Sequence, residues 1–250
     1  MLKKIERINL NTKNLSTTGL LFIPERPSTK HCAIFSHGYT THKGSILTWA
    51  QKLMDLEIPC LIFDLPGHYL GNYSDVQIFN HFANESWELF SKSFDAIKEN
   101  FNHEFIPLIG GHSLGALISL MAAEKNPYFK HNICVGLGSL EKDDVHLFNT
   151  PFFKDTMKLR AELVSSCLNP KVMLPWIATQ KQSLHLENNH IYLIAGKDDI
   201  IIGGTEGVER MASYLKENNQ VHIELIAKLP HHLPENAGLF VKKIIKEKII

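Results

Sequence analysis

Residues 106–117 read IPLIGGHSLGAL, and inside them Gly111-His112-Ser113-Leu114-Gly115 forms a G-x-S-x-G pentapeptide. An apolar run from Phe105 to Ile109 precedes it, and an apolar, alanine-bearing run from Ala116 to Ala123 follows it. That order predicts a strand, a sharp turn at Ser113 and a helix. In so tight a turn, side chains two positions either side of the serine would collide. Glycine at 111 and 115 removes the collision and tolerates unusual backbone angles. The serine is left at the tip of the turn, at the start of a helix, where unpaired N–H groups favour negative charge. A nucleophile that passes through an oxyanion needs this environment.

Outward from the pentapeptide, strand and helix patterns alternate. Lys4–Leu10 and Gly19–Ile23 read as two early strands joined by a turn. Short apolar strands follow at His31–Phe35, Pro59–Phe63, Phe105–Gly110, Asn132–Leu137, His190–Ala195 and Val221–Ala227. Apolar residues recur at helical spacing over 45–56, 79–101, 116–124, 206–216 and 237–247. Alternation of this kind implies a mostly parallel, twisted sheet of about eight strands with helices on both faces. Residues 138–189 break the rhythm with three prolines and scattered aromatics, and read as a small helical insert. The expected organisation is a core of 1–137 and 190–250 with a cap at 138–189.

Bulk properties narrow the function classes. The 250 residues are 44% hydrophobic and 21% charged, with 26 basic residues against 26 acidic ones. This charge balance gives no reason to expect a nucleic-acid partner. Cys32, Cys60, Cys134 and Cys167 lack metal-type spacing, and the first three fall in or beside apolar runs. They read as reduced, buried thiols. With no apolar stretch near the N-terminus and no run long enough to span a membrane, a cytoplasmic protein is expected. The 14 histidines show no standard zinc spacing, so no metal is expected. The glycine-rich run 203–207 lacks the lysine of a phosphate loop, and no cofactor is expected. Oligomeric state is not legible.

A serine hydroxyl needs a base within hydrogen-bond reach, and the base needs an orienting group. Both are available just after expected strands, where the active groups of parallel sheets lie. Strand 191–195 runs into Gly196-Lys197-Asp198-Asp199, and strand 222–227 runs into a loop holding His231-His232-Leu233-Pro234-Glu235. The order serine, acid, histidine resembles that of the α/β-hydrolase superfamily.

The resemblance implies that fold, a serine esterase or lipase-like activity and named roles. The family's G-x-x-D turn places the acid at Asp199 rather than Asp198. Its pattern of histidine, apolar residue and following acidic residue places the base at His232 rather than His231. An H-G-x turn at His37-Gly38-Tyr39 implies the backbone N–H of Tyr39 as one oxyanion donor, and that of Leu114 as the other. The stretch Asp64-Leu65-Pro66-Gly67-His68, with Gly71 and Ser74, resembles a D-x-x-G-x-G-x-S loop but is longer than usual. Asp64 and His68 there read as structural.

Phe148, Phe152, Phe153 and Trp176 in the insert are candidates to line an acyl pocket or to form the insert's own core. Lys142, Lys154, Lys158 and Arg160 read as a solvated face, with a charged substrate group as the other possibility. The expected activity is hydrolysis of a small to medium carboxylic ester through an acyl-enzyme. Thioesterase, monoacylglycerol lipase and amidase chemistry are alternatives on the same three groups. A non-catalytic binding protein of this fold is the alternative of another class.

Overall fold

The computed structural model describes residues 1–27, 30–140 and 151–250. Its frame is one eight-stranded sheet with the spatial order β1-β2-β4-β3-β5-β6-β7-β8. In chain order the strands are β1 (Leu2–Asn11), β2 (Ser16–Pro24), β3 (His31–Ser36), β4 (Cys60–Phe63), β5 (Ile106–His112), β6 (His131–Val135), β7 (His190–Gly196) and β8 (Gln220–Ile226). The β1/β2 and β2/β4 pairs are antiparallel, and every pair from β4 through β8 is parallel. The long runs of fully buried residues in β3, β4 and β5 reflect a sheet covered on both faces.

Two apolar layers provide that cover. On one face lie α3 (Glu88–Phe101), α4 (Leu114–Lys125) and α7 (Gly204–Leu215), packed around Phe63, Phe90, Phe94 and Phe129. On the other lie α1 (Leu47–Met54) and α8 (Gly238–Ile244), packed around Phe35 and Trp49. Residues 114–123 of α4 are all buried, as expected of a helix that is apolar all round.

The single helix expected over 79–101 is instead two, α2 (Phe79–Glu85) and α3, separated at Ser86–Trp87. The break gives α2 an added partner. Phe79 and Phe82 of α2 meet Trp176, with ring centroids 5.9 and 6.0 Å apart, while Leu89, Phe90, Phe94 and Ile97 of α3 share with Phe82 the layer on the sheet.

Between β6 and β7 the described residues form α5 (Pro151–Glu162), a short 3-10 turn and α6 (Pro170–Ser183). The lengthened 64–76 loop is not free-standing. Gly67 accepts the Ser165 N–H at 2.9 Å, and Tyr69 donates its N–H to Leu163 at 3.0 Å. His68 and Val164 form an antiparallel bridge, and Ser165 Oγ accepts the Val76 N–H at 2.8 Å. The extra residues therefore pair with the segment between β6 and β7.

Candidate active site

Ser113 stands between β5 and α4 with φ 50° and ψ −108°. A non-glycine residue in that region carries strain of about 1–3 kcal/mol, which persists only where the surroundings over-determine it. The surroundings are specific. The Ser113 N–H donates to Val135 O on β6 at 2.8 Å, and Ser113 O accepts the Leu117 N–H at 3.1 Å. A Cβ at Gly111 would lie 2.4 Å from Ser36 O, and one at Gly115 would lie 2.4 and 2.6 Å from Ser36 O and His37 O. Both glycines are therefore needed because the elbow lies against the carboxyl end of β3. Leu114 is the first residue of α4, so its N–H has no carbonyl inside the helix.

The turn after β3 adjoins the serine. A Cβ at Gly38 would lie 2.6 Å from His112 Nδ1 and 3.4 Å from Ser113 Cβ. Tyr39 follows, and its hydroxyl donates to Leu168 O at 2.6 Å. Next, Thr40 has φ 62° and donates its hydroxyl to Tyr39 O at 2.6 Å.

The carboxylate and imidazole come from the ends of β7 and β8. Asp199 Oδ2 lies 2.8 Å from His231 Nδ1, and Asp199 Oδ1 accepts the Ile201 N–H at 3.2 Å. The Asp199 side chain is 2% exposed and that of His231 17% exposed. The His231 ring lies 4.7 Å from the ring of His112, the residue immediately before Ser113. Its loop is tied to α1, because Trp49 Nε1 donates to Pro234 O and Thr48 Oγ1 to Glu235 O, both at 2.8 Å.

Solved structures share this arrangement of strands. A thermostable carboxyl esterase from Bacillus coagulans superposes with a TM-score of 0.69 at 13% identity, covering 98% of this chain and 99% of that one. An esterase from Pyrococcus furiosus gives 0.68 at 17% identity over 97% and 91%. A dienelactone hydrolase from Anabaena variabilis gives 0.58 at 15% identity over 98% and 95%. The chain has the α/β-hydrolase fold. Among curated proteins, one from Mycoplasma pneumoniae, provisionally named esterase/lipase 3, is 25% identical over 120 residues. That match takes in 48% of this chain and only 40% of the relative. No protein-family profile matches the chain.

Of the two adjacent histidines, the structure brings to the carboxylate the one that the family pattern did not favour. His231, not His232, meets the carboxylate, and the aspartate is Asp199, while Asp198 is exposed. His232 is exposed as well. The turn closed by the Leu233 N–H on Pro230 O, at 3.1 Å, sends successive side chains to different sides. The inward one is 231, which fits between Asp199, His112 and Gly136.

His37 and His68 sit beneath the turn that carries Tyr39. His37 Nε2 accepts the Leu65 N–H at 2.9 Å, so the proton resides on Nδ1 and is donated to Gly38 O at 2.8 Å. Burial pushes its pKa down to about 3. His68 is fully buried, with Nδ1 3.1 Å from Pro66 O. Burial, then the neighbouring His37, pushes its pKa to about 3. Burial, then His231 and His37, holds His112 well below the ordinary histidine range. Asp64 is a fixture of the frame, accepting the Lys43 backbone N–H at 2.7 Å and pairing with the Lys43 ammonium.

Of the candidate pocket residues, Trp176 is half-buried against Phe79 and Phe82 and joins the intervening segment to the core. Phe153 is half-buried. Phe148 and the side chain of Phe152 lie outside the described residues, as does Lys142. Sequence reasoning gave no role to the buried His112, held His231 as the alternative to His232, and read Arg160 first as part of a solvated face, whereas its Nη1 donates to Thr40 Oγ1. Among the described residues no group of three or more His, Cys, Asp or Glu side chains is placed to hold a metal. No helix among them is long and apolar enough to cross a membrane.

Proposed function

We propose that the protein is a serine hydrolase that cleaves a small to medium carboxylic ester through an acyl-enzyme. The observation that carries the reading is the convergence on one sheet rim of a strained Ser113 and an Asp199–His231 pair at 2.8 Å. The esterase names of the structural neighbours and of the distant curated relative support ester hydrolysis in general.

A carboxylate only accepts, so the Asp199 contact puts the imidazole proton on His231 Nδ1 and leaves Nε2 as an acceptor. His231 Nε2 takes the proton of Ser113 Oγ as that oxygen bonds to the ester carbonyl carbon. The carbonyl oxygen becomes an oxyanion, held by the N–H groups of Leu114 and Tyr39. As the tetrahedral centre collapses, His231 gives its proton to the departing alkoxide, and the alcohol leaves. Water then attacks the acyl-enzyme, His231 again accepting and returning a proton, and the carboxylic acid departs. The four free cysteines, three of them buried, support a reducing compartment, and we place the protein in the cytoplasm.

The test is covalent labelling by a fluorophosphonate together with turnover of p-nitrophenyl esters of increasing chain length. Wild type is expected to label at Ser113 and to turn over the shorter esters. Ser113→Ala and His231→Ala lose about a thousandfold or more in kcat, whereas His232→Ala stays within about threefold. An unlabelled wild type with no turnover on any ester would overturn the reading in favour of a binding protein. Loss in His232→Ala with an active His231→Ala would return the base to residue 232.

A further inference from the structure

Two hydrogen bonds reach from the segment between β6 and β7 into the turn after β3. Arg160, near the end of α5, donates from Nη1 to Thr40 Oγ1, and the Thr40 hydroxyl passes the contact to Tyr39 O at 2.6 Å. The Tyr39 hydroxyl returns it by donating to Leu168 O at 2.6 Å. Residues 39 and 40 are thus held from above by two points of one segment. They are held from below by the His68 ring, 5.8 Å from that of Tyr39.

The conformation so held is unusual. Thr40 is β-branched and buried, yet sits at φ 62°, a region such residues rarely enter. A conformation of this kind lasts only where neighbours enforce it. Arg160 is the neighbour with a charge. It is half-buried, burial lowers its pKa, and its guanidinium is close enough to Tyr39 to oppose the rise that burial causes in the phenol's pKa. Among the described residues no carboxylate pairs with it. A guanidinium drawn out of water towards a lone hydroxyl is poorly explained as a contribution to stability, since desolvating the cation offsets the hydrogen bond.

We propose that Arg160 is a positioning residue. Acting through Thr40, it holds the Tyr39–Thr40 peptide and so the ψ side of the Tyr39 Cα. This steadies the adjoining Gly38–Tyr39 peptide, itself held at Gly38 O by His37 and Thr41, so that the Tyr39 N–H points where negative charge develops on the ester carbonyl oxygen. The seating of the segment between β6 and β7 then sets the quality of the oxyanion hole. This inference rests on the serine-hydrolase reading above. It requires the effect to appear in the transition state, because the carbonyl oxygen gains charge only there.

The experiment compares Arg160→Met, Arg160→Lys, Thr40→Ala and the Arg160→Met/Thr40→Ala double variant. Steady-state kinetics on a neutral p-nitrophenyl ester are combined with hydrogen exchange of the amides at 38–42. Arg160→Met is expected to lower kcat about tenfold to a hundredfold with KM within about twofold, since small misplacements of a preorganised donor act on the chemical step. Arg160→Lys, which still offers a donor to Thr40, recovers most of the rate. The double variant is no slower than the slower single, because both remove one chain of contacts. Exchange at 38–42 quickens in Arg160→Met and not in Arg160→Lys.

An unchanged kcat in Arg160→Met, or losses in the two singles that multiply in the double, would overturn the proposal. So would a defect confined to KM and specific to anionic esters, which would make Arg160 a substrate-binding cation instead. If the wild type itself neither labels nor hydrolyses, the serine-hydrolase reading fails. Hydrogen exchange then still decides whether Arg160 holds the turn.

Discussion

Acid should unfold this protein through two imidazoles beneath the turn after β3. His37 and His68 are fully buried, their ring centroids 5.3 Å apart, and each has a pKa near 3. An unfolded histidine titrates near 6.5. Between those values the unfolded chain binds protons that the folded chain refuses, so unfolding free energy falls as pH falls. Their contribution is complete above about pH 6.5 and declines by about 1.4 kcal/mol per pH unit for each histidine. At pH 4.5 each has forfeited about 3 kcal/mol, and the two together on the order of 5 kcal/mol, comparable with the whole stability of a marginal domain. The perturbation is His68→Phe, which keeps a ring against Phe82 and Tyr39 while removing the titration. Urea unfolding at half-unit steps from pH 7.5 to 4.5 provides the assay. The absolute stability of the variant is expected to fall, because Pro66 O loses its partner. The slope of stability against pH below 6.5 is the diagnostic quantity, and it should be shallower in His68→Phe by about 1.4 kcal/mol per unit. Parallel curves for the two proteins would refute the reasoning, since they would mean that His68 titrates alike folded and unfolded.

Three further outcomes follow from the site. Gly38→Ala puts a methyl 2.6 Å from the buried His112 ring and 3.4 Å from Ser113 Cβ, so kcat on p-nitrophenyl esters should fall about a hundredfold and urea-measured stability should fall by about 1–3 kcal/mol. Gly115→Ala drives a methyl to 2.4 and 2.6 Å from two backbone carbonyl oxygens of the β3 end, neither of which can swing away. It should lower urea-measured stability by about 1–3 kcal/mol. Asp199→Asn lets His231 carry its proton on the wrong nitrogen, so kcat should drop about ten-thousandfold in a protein whose circular dichroism is unchanged.

Much of this was legible in the chain because the relevant physics is local. The two glycines of the pentapeptide report a close approach within five residues, and the short apolar runs report strands buried on both faces. The lengthened loop at 64–76 was harder, because what shapes it is pairing with residues 163–165, some ninety positions away. The helix break at Ser86–Trp87 was hidden for a similar reason. The apolar period continues across it, because both helices pack on the same apolar layer, and only the placement of Trp176 shows what α2 meets in addition.

The histidine pair and the cations of α5 share one difficulty, which is that spacing gives position along the chain but not direction in space. His231 and His232 are adjacent, and a motif tolerant by one residue fits either. The choice belongs to Asp199, 32 residues earlier, and to the His112 ring that the inward imidazole packs against. On α5, Lys158 and Arg160 look alike as members of a basic cluster. Two residues along a helix rotate the side chain by about 200°, so the pair cannot share a face. Lys158 is exposed and bridges to Asp155 at 2.9 Å, while Arg160 turns inward to Thr40. Had the helical period been applied to the charges as it was to the apolar residues, the cluster would have divided into a solvated cation and one aimed at the core. The inward one would then have called for a polar partner, and its nearest polar neighbours lie in the turn that carries Tyr39.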